Sequence, residues 1–330
     1  MESAENKKRE SDQIVTDNNT LEIVDNTTVE TKEEKQTKEE APTQKKGSDF
    51  GTFPNWIDLL AMLGLFFLTQ TIVTLVFVSM GWSATLPDNF AELSIELQRE
   101  AESVAGRTTL LWSLISLPLM LIMVMVYRSV RNGQYGSVRH SLNGFNPTIL
   151  LWGVMMLLSV VVLMEPLLEI MPDIEMPQGR GLSMLTALVI VAPVFEELLC
   201  RGVILEALRT KYGAAIACFV SALFFAIMHL EPQAMVNAFV MGLLLGYIYL
   251  RTNSIFAPII LHAINNLFAY MFLVFNLNDK SLMEMIQNPM IYRFVYGIAI
   301  GIMLLSLIGI TNYVVNLQKS DKAKKAAAAK

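Results

Sequence analysis

The sequence is poor in cysteine and has no excess of basic residues, and each shortage excludes a class of protein. Two cysteines, Cys200 and Cys218, among 330 residues cannot supply a disulfide scaffold or a cysteine-rich zinc site. The formal net charge is −5, from 25 basic and 30 acidic side chains. Nucleic-acid binding needs clustered Lys and Arg facing water. We therefore expect no nucleic-acid partner.

Long apolar runs are missing from residues 1–50. This segment holds 13 acidic and 8 basic side chains, which account for the whole net charge. It lacks the apolar core of a signal peptide, and its composition predicts a disordered charged tail. Residues 318–330 are rich in Lys and Ala and are predicted to form a second, cytoplasmic tail.

Residues 51–317, by contrast, are strongly apolar. The whole chain is 53% hydrophobic and 17% charged, with a mean hydropathy of +0.46, which is too apolar for a soluble domain. Runs of about 20 apolar residues cross the membrane as helices, because lipid cannot satisfy backbone hydrogen-bonding groups. We predict an all-α, polytopic membrane protein with about eight transmembrane helices, at residues 56–80, 109–127, 148–168, 182–208, 214–230, 233–250, 255–275 and 291–314.

The charges between these runs predict the orientation. Basic residues follow the second, fourth, sixth and eighth runs, and the other loops are acidic or carry little charge. Because basic loops remain in the cytoplasm, both termini are expected there. Chain size favours the inner membrane of a bacterium. The basic residues that set this orientation are Arg128, Arg131, Arg139, Arg209, Lys211, Arg251, Lys319, Lys322, Lys324 and Lys325.

Two patterns predict packing rather than chemistry. Apolar residues recur at helical spacing from Phe90 to Val104 among acidic residues, which predicts a short helix on the outer face. Two glycine pairs have the four-residue spacing that lets helices approach closely. We expect both pairs to pack against neighbouring helices: Gly242 with Gly246, and Gly297 with Gly301.

Ionisable and amide side chains cluster inside three of the predicted membrane helices. A charged side chain at the centre of the bilayer costs about 2.5–3.5 kcal/mol on insertion scales, so this cluster requires an explanation. Two of the three histidines in the chain belong to it. The three segments read Glu196-Glu197-xxx-Arg201, Phe225-xxx-His229 and His262-xxx-Asn266.

Helical spacing predicts which of the charged side chains meet. Glu197 and Arg201 are four residues apart, in the favourable order of acid before base, and are expected to form a structural ion pair. Glu196 points about 100° away from Glu197. Glu196 and His229 lie about equally far from the turn near residues 211–213, so antiparallel packing of the two helices is expected to place them at similar depth.

His262 and Asn266 are four residues apart and present an imidazole and a carboxamide to one point. Two neutral donors suit an oxyanion, and a Glu–His pair that orients water opposite them suits peptide-bond hydrolysis. One estimate disagrees, since His262 lies about nine residues beyond the turn at Asn253, nearer the inner surface than Glu196. Tilt, a kink near Pro193 or a shallow hairpin would remove this mismatch.

These three motifs resemble the family of CAAX proteases and bacteriocin-processing enzymes (CPBP, or Abi), which includes the type 2 CAAX prenyl proteases. All three stand in the family's order within residues 182–275. The resemblance implies an intramembrane endopeptidase in which Glu196 activates water with help from His229. It further implies that His262 and Asn266 form the oxyanion site. Supporting or substrate-binding roles follow for Glu197 and Arg201, and a packing role for Phe225.

The resemblance also implies a metal-free mechanism without a cofactor, with zinc as the alternative, and the sequence has no His-Glu-xx-His motif. The expected partners are membrane lipid and a peptide or protein cleaved close to the membrane, either a CAAX-type substrate or a bacteriocin or peptide precursor.

Three other interpretations stay open. In the first, Cys200, which lies beside the first motif, is the nucleophile of a thiol protease. The cluster would also suit a catalytically silent scaffold or immunity protein, in which it holds the helices together. A transporter or proton relay is the third, since buried Glu and His also mark ion paths.

Overall fold

The computed structural model describes residues 53–82, 85–87, 89–132, 146–172, 179–277 and 280–328. The charged tail predicted at residues 1–50, and Arg139 of the predicted cytoplasmic loop, lie outside these residues. All regular secondary structure in the described ranges is helical, without a strand. The predicted all-α fold is therefore confirmed.

The described residues form nine helices. Each of the eight predicted apolar runs is helical along most of its length, and α8 is an additional short helix. The helices are α1 (Trp56–Ser79), α2 (Ile95–Asn132), α3 (Pro147–Leu168), α4 (residues 182–212), α5 (Ala214–Ile227), α6 (Pro232–Thr252), α7 (Phe256–Val274), α8 (Leu282–Ile286) and α9 (Pro289–Ala328).

Six of these helices are long and apolar enough to cross a membrane: α1, α2, α3, α6, α7 and α9. α4 alternates between two kinds of helix, and α5 is apolar but has only 14 residues. The chain is thus a polytopic, helical membrane protein, and the count of eight crossings stays a prediction.

Local sequence signals fix several helix ends. Asn55 caps α1 by accepting a hydrogen bond from the Asp58 amide (2.9 Å), and the Asp58 carboxylate accepts one from the Asn55 amide (2.8 Å). Proline at the first position begins α3 and α6. Gly213, with φ of +83°, separates α4 from α5, because glycine adopts a positive φ without steric cost.

The short helix predicted from Phe90 to Val104 is wrong as a separate element. A single 3₁₀ turn, Phe90–Glu92, precedes α2, which starts at Ile95 and runs unbroken for 38 residues. No residue between Val104 and the apolar run stops the helix, and Ala105 at this junction is buried. The amphipathic stretch is therefore the first part of a transmembrane helix.

The two glycine pairs differ. A Cβ at Gly242 would lie 2.9 Å from Ala222 Cα, and one at Gly246 would lie 2.8 Å from Cys218 Sγ, so this pair packs α6 tightly against α5 as predicted. The prediction for the second pair is wrong, because nothing in the described chain lies within 4 Å of a Cβ at either glycine. α9 packs through another face, where Gly309 meets Trp152 of α3.

α4 is central to one of two buried apolar clusters. In the first, side chains of α4 such as Leu199 and Val203 pack with residues of α1, α2 and α5. The second joins α3, α6, α7 and α9. α9 itself continues to Ala328, so the segment predicted as a tail from residue 318 extends this helix through most of its length.

Candidate active site

The helix that carries both glutamates is interrupted by two π-helical segments. In α4, the α-helical segments Leu182–Thr186, Ala192–Glu197 and Glu206–Tyr212 alternate with the π-helical segments Ala187–Val191 and Leu198–Leu205. π turns are rare and occur often at functional sites. The two π segments flank the short α-helical piece that ends with Glu196 and Glu197.

Pro193 explains part of this pattern and gives Asn266 a partner. Proline has no N–H, so it cannot bond to the Leu188 carbonyl five residues earlier, while the Ala192 N–H is bonded to Ala187. The Asn266 side chain donates from Nδ2 to the Leu188 carbonyl oxygen at 2.9 Å. Asn266 therefore ties α7 to the first π segment, and within the described ranges its second Nδ2 hydrogen makes no hydrogen bond.

Glu197 is the centre of a buried polar network. Its Oε1 accepts hydrogen bonds from Arg201 Nη1 at 2.7 Å and from His262 Nδ1 at 3.0 Å. The side chains of Glu197 and Arg201 are both 0% exposed. Arg201 Nη2 also donates to the Gly242 carbonyl at 3.0 Å, and its guanidinium lies 4.9 Å from the centre of the Phe225 ring. The Glu197–Arg201 ion pair expected from the spacing is present.

Glu196 meets His262 rather than His229. Its Oε2 lies 3.7 Å from His262 Nε2, whereas no hydrogen bond or ion pair links it to His229 in the described chain. His229 Nδ1 instead donates to the Phe225 carbonyl at 2.9 Å. The Phe225 ring contacts both imidazoles, with ring centres 4.8 Å from His229 and 5.4 Å from His262.

The depth mismatch for His262 is therefore absent from the folded chain. A π turn contains more residues than an α turn, so the π segment after Glu197 shortens the axial distance from Glu197 to the end of α4.

The hydrogen bonds to Nδ1 decide what each Nε2 can do. Because a carbonyl or carboxylate only accepts, Nδ1 of each histidine carries the proton, and in a neutral ring Nε2 is then an acceptor. Nε2 of His229 therefore has a lone pair that can accept a hydrogen bond. For His262, donation to an oxyanion would require a second proton on Nε2, next to the Glu196 carboxylate.

Accessibility separates the two glutamates. The Glu196 side chain is 16% exposed, while that of Glu197 is fully buried. Cys200 is also fully buried, with its Sγ against Met228 Sδ, so its thiol is out of reach of a substrate. No group of three His, Cys, Asp or Glu side chains that could hold a metal is found in the described ranges.

The turn after His229 is strained, a feature that the sequence analysis missed. Leu230 has φ of +60°, and the Glu231 N–H bonds to the His229 carbonyl at 2.7 Å. This three-residue turn is unfavourable for a side chain with a Cβ, and such strain collects at functional sites. Leu230 is also 64% exposed, and no glycine or asparagine in the sequence signals the turn.

The sequence comparisons agree with the fold and the motifs. Residues 178–268 match the family described as "Type II CAAX prenyl endopeptidase Rce1-like". This match, which contains all the candidate residues, confirms the resemblance to the CAAX-protease and bacteriocin-processing family over this part of the chain.

A relative from Bacillus subtilis (strain 168) supports the same assignment. Its name is "Putative membrane peptidase YdiL", and it is 26% identical over 176 residues, covering 48% of this chain and 69% of the relative. No solved structure matches the chain significantly.

Proposed function

We propose that this protein is an intramembrane endopeptidase that hydrolyses a peptide bond at the membrane with water activated by Glu196. The observation that carries the proposal is the arrangement Glu196–His262–Glu197. An accessible carboxylate faces an imidazole at 3.7 Å, and a buried carboxylate holds the other nitrogen of that imidazole at 3.0 Å. A base beside an oriented imidazole is the arrangement expected for general acid–base catalysis.

Glu196 takes a proton from water as the water oxygen attacks the substrate carbonyl. The carbonyl oxygen becomes an oxyanion, the C–N bond then breaks, and the proton passes to the leaving amine. His229 accepts through Nε2 and helps to orient the water. The remaining N–H of Asn266 and a protonated His262 Nε2 stabilise the oxyanion.

Glu197, Arg201 and Phe225 act through the histidines. Glu197 fixes the ring of His262, as a buried carboxylate does for the histidine of a catalytic triad. Arg201 holds the Glu197 carboxylate in place through an ion pair at 2.7 Å, and Phe225 packs against both imidazole rings. No cofactor enters these steps, and the metal-free character of the reaction is part of the proposal.

The substrate is proposed to be a peptide or membrane-anchored protein cleaved next to the bilayer. The matched family description names a CAAX prenyl endopeptidase and the relative is named as a membrane peptidase, which favour either a CAAX-type substrate or a peptide precursor. We place the protein in a bacterial inner membrane with both termini in the cytoplasm, because its basic loops follow the even-numbered runs.

Cleavage of a peptide library by purified protein in lipid tests this function. The library contains soluble, membrane-anchored and prenylated peptides, and wild type is compared with Glu196→Gln and His262→Ala. Glu165→Gln, a change in a transmembrane helix outside the site, is the matched control. We expect cleavage by wild type and control only. Lack of cleavage by folded wild type on every peptide would contradict the proposal and favour a silent scaffold.

A further inference from the structure

Ser221 connects α5 to the second π segment of α4. Its side chain is 1% exposed, and its Oγ donates a hydrogen bond to the Cys200 carbonyl oxygen at 2.8 Å. Cys200 lies in the π segment Leu198–Leu205, directly before Arg201. Ser221 therefore contacts the backbone four residues beyond Glu196.

This bond is unusual within the chain. Buried hydroxyl groups on helices ordinarily donate to a carbonyl of their own helix, as Thr69, Ser159 and Thr252 do here at 2.7–2.8 Å. Among the buried Ser and Thr side chains that the structure describes, Ser221 is the one that donates to the backbone of another helix. The Ser221 hydroxyl bonds to the π segment of α4 instead of to a carbonyl of its own helix.

The contact matches the one on the other side of the glutamates. Asn266 of α7 donates to Leu188 in the first π segment, and Ser221 of α5 donates to Cys200 in the second. π turns are less stable than α turns and persist where surrounding contacts hold them. Two side chains from different helices therefore hold the two irregular segments that bracket Glu196 and Glu197.

The register of the second π segment sets the position of Arg201. A return to α-helical bonding would rotate Arg201 about the helix axis relative to Glu197. The chain of contacts that follows is short: Arg201 to Glu197 at 2.7 Å, Glu197 to His262 at 3.0 Å and His262 to Glu196 at 3.7 Å. A shift of about 1 Å in a catalytic group can cost about 100-fold in rate.

We infer that Ser221 is a positioning residue for the proposed hydrolysis, acting through the backbone at Cys200 to hold Arg201 and Glu197 in register. The inference rests on the proposed function. It predicts that removal of the hydroxyl lowers the rate of chemistry and leaves substrate binding unchanged.

The test compares Ser221→Ala with Ser159→Ala, since Ser159 is a buried serine of α3 that bonds within its own helix. The substrate is the best peptide from the library. For Ser221→Ala we expect kcat to fall about tenfold or more with KM within about twofold of wild type. Ser159→Ala should keep both constants, and Ser221→Thr, which retains the hydroxyl, should recover part of kcat.

A second measurement is independent of activity. In a Cys218→Ala background, the rate of alkylation of Cys200 by N-ethylmaleimide reports opening of the second π segment, since Cys200 is 0% exposed. Ser221→Ala should accelerate labelling, and Ser159→Ala should not.

The outcomes are distinguishable. Faster labelling with unchanged kcat would make Ser221 only a structural residue and overturn the inference, as would unchanged labelling with unchanged kcat. If folded wild type cleaves no peptide, the proposed function and the positioning role both fail, while labelling still tells whether Ser221 holds the π segment. If Ser221→Ala fails to fold, Ser221→Thr must restore both folding and kcat for the inference to stand.

Discussion

Two buried carboxylates in the membrane helices, Asp58 and Glu197, each pair with an arginine, but their hydrogen-bond saturation differs. Asp58 accepts four hydrogen bonds, two on each oxygen: from Tyr127 and Arg131 Nε on Oδ1, and from Asn55 and Arg131 Nη2 on Oδ2. Glu197 receives both of its bonds on Oε1, and its Oε2 and Arg201 Nε have no partner among the described residues.

We relate this difference to a structural role for Asp58 and to the proposed reaction beside Glu197. A carboxylate whose oxygens are fully bonded, with a bidentate arginine, fixes two helices and has no capacity left. The Glu197 network keeps unused capacity in the interior, where leaving a polar atom unpaired is costly, and it lies beside Glu196, which has no hydrogen bond to a protein group in the described chain. Unmet bonding capacity near an accessible base is what a site that must bind water and substrate requires.

The largest effect is expected for Glu196→Gln. The amide keeps the size of the side chain and removes the base, so the rate of cleavage should fall about 10²–10⁴-fold, while the midpoint of thermal unfolding should change little. Peptide cleavage and unfolding are measured on the same preparation. Retention of more than about a tenth of the activity would mean that another group activates the water.

Asp58→Asn should show the opposite pattern. Arg131 would lose its bidentate anionic partner, and breaking a buried pair costs about 3–5 kcal/mol, with the lower end expected because Arg131 is 13% exposed. Cleavage per folded molecule should stay within about twofold of wild type. A large loss of kcat in the folded variant would erase the distinction between the two carboxylates.

Glu165→Gln is expected to lower the stability of the fold less than Asp58→Asn does. Glu165 accepts hydrogen bonds from Tyr292, Tyr296 and the Leu282 amide, and no cation pairs with it in the described chain. The Gln amide oxygen can accept from the Leu282 amide, which bonds to Oε1, while its NH2 group donates to the tyrosine hydroxyls that bond to Oε2. The free energy of unfolding should therefore fall by only about 1–2 kcal/mol. Denaturant titration in detergent measures this, and a loss as large as that for Asp58→Asn would contradict the reasoning.

Ser306→Ala is expected to have the smallest effect. The Ser306 hydroxyl is fully buried and has no hydrogen-bond partner among the described residues, and it lies on α9, which carries none of the candidate residues. Removal of an unsatisfied hydroxyl should change stability by less than about 1 kcal/mol, in the stabilising direction. Activity should be unchanged, and a clear loss of cleavage would mean that unmet polar groups outside the cluster also serve the reaction.

Much of the fold could be read from the sequence because lipid allows few structures. Apolar runs of about 20 residues must be helices, and the spacing of Glu197 and Arg201 gave their ion pair directly. The helix boundary before α2 was missed, because amphipathic and apolar stretches joined without a breaking residue look like two elements.

The approach of Glu196 to His262 could not be predicted, because the depth estimates assumed regular α-helices. The π segments on both sides of Glu196 change its direction, and the only sequence signal for them is Pro193. The partners that hold these segments, Ser221 and Asn266, come from other helices. Tertiary contacts of this kind leave no periodic pattern in the sequence.

The most direct test of the central claim is cleavage per folded molecule for Glu196→Gln and Asp58→Asn, measured side by side with wild type on one membrane-anchored peptide. The account predicts a well-folded, inactive Glu196→Gln and a destabilised Asp58→Asn that cleaves normally when folded. Equal loss of activity in both folded variants, or normal cleavage by Glu196→Gln, would contradict it.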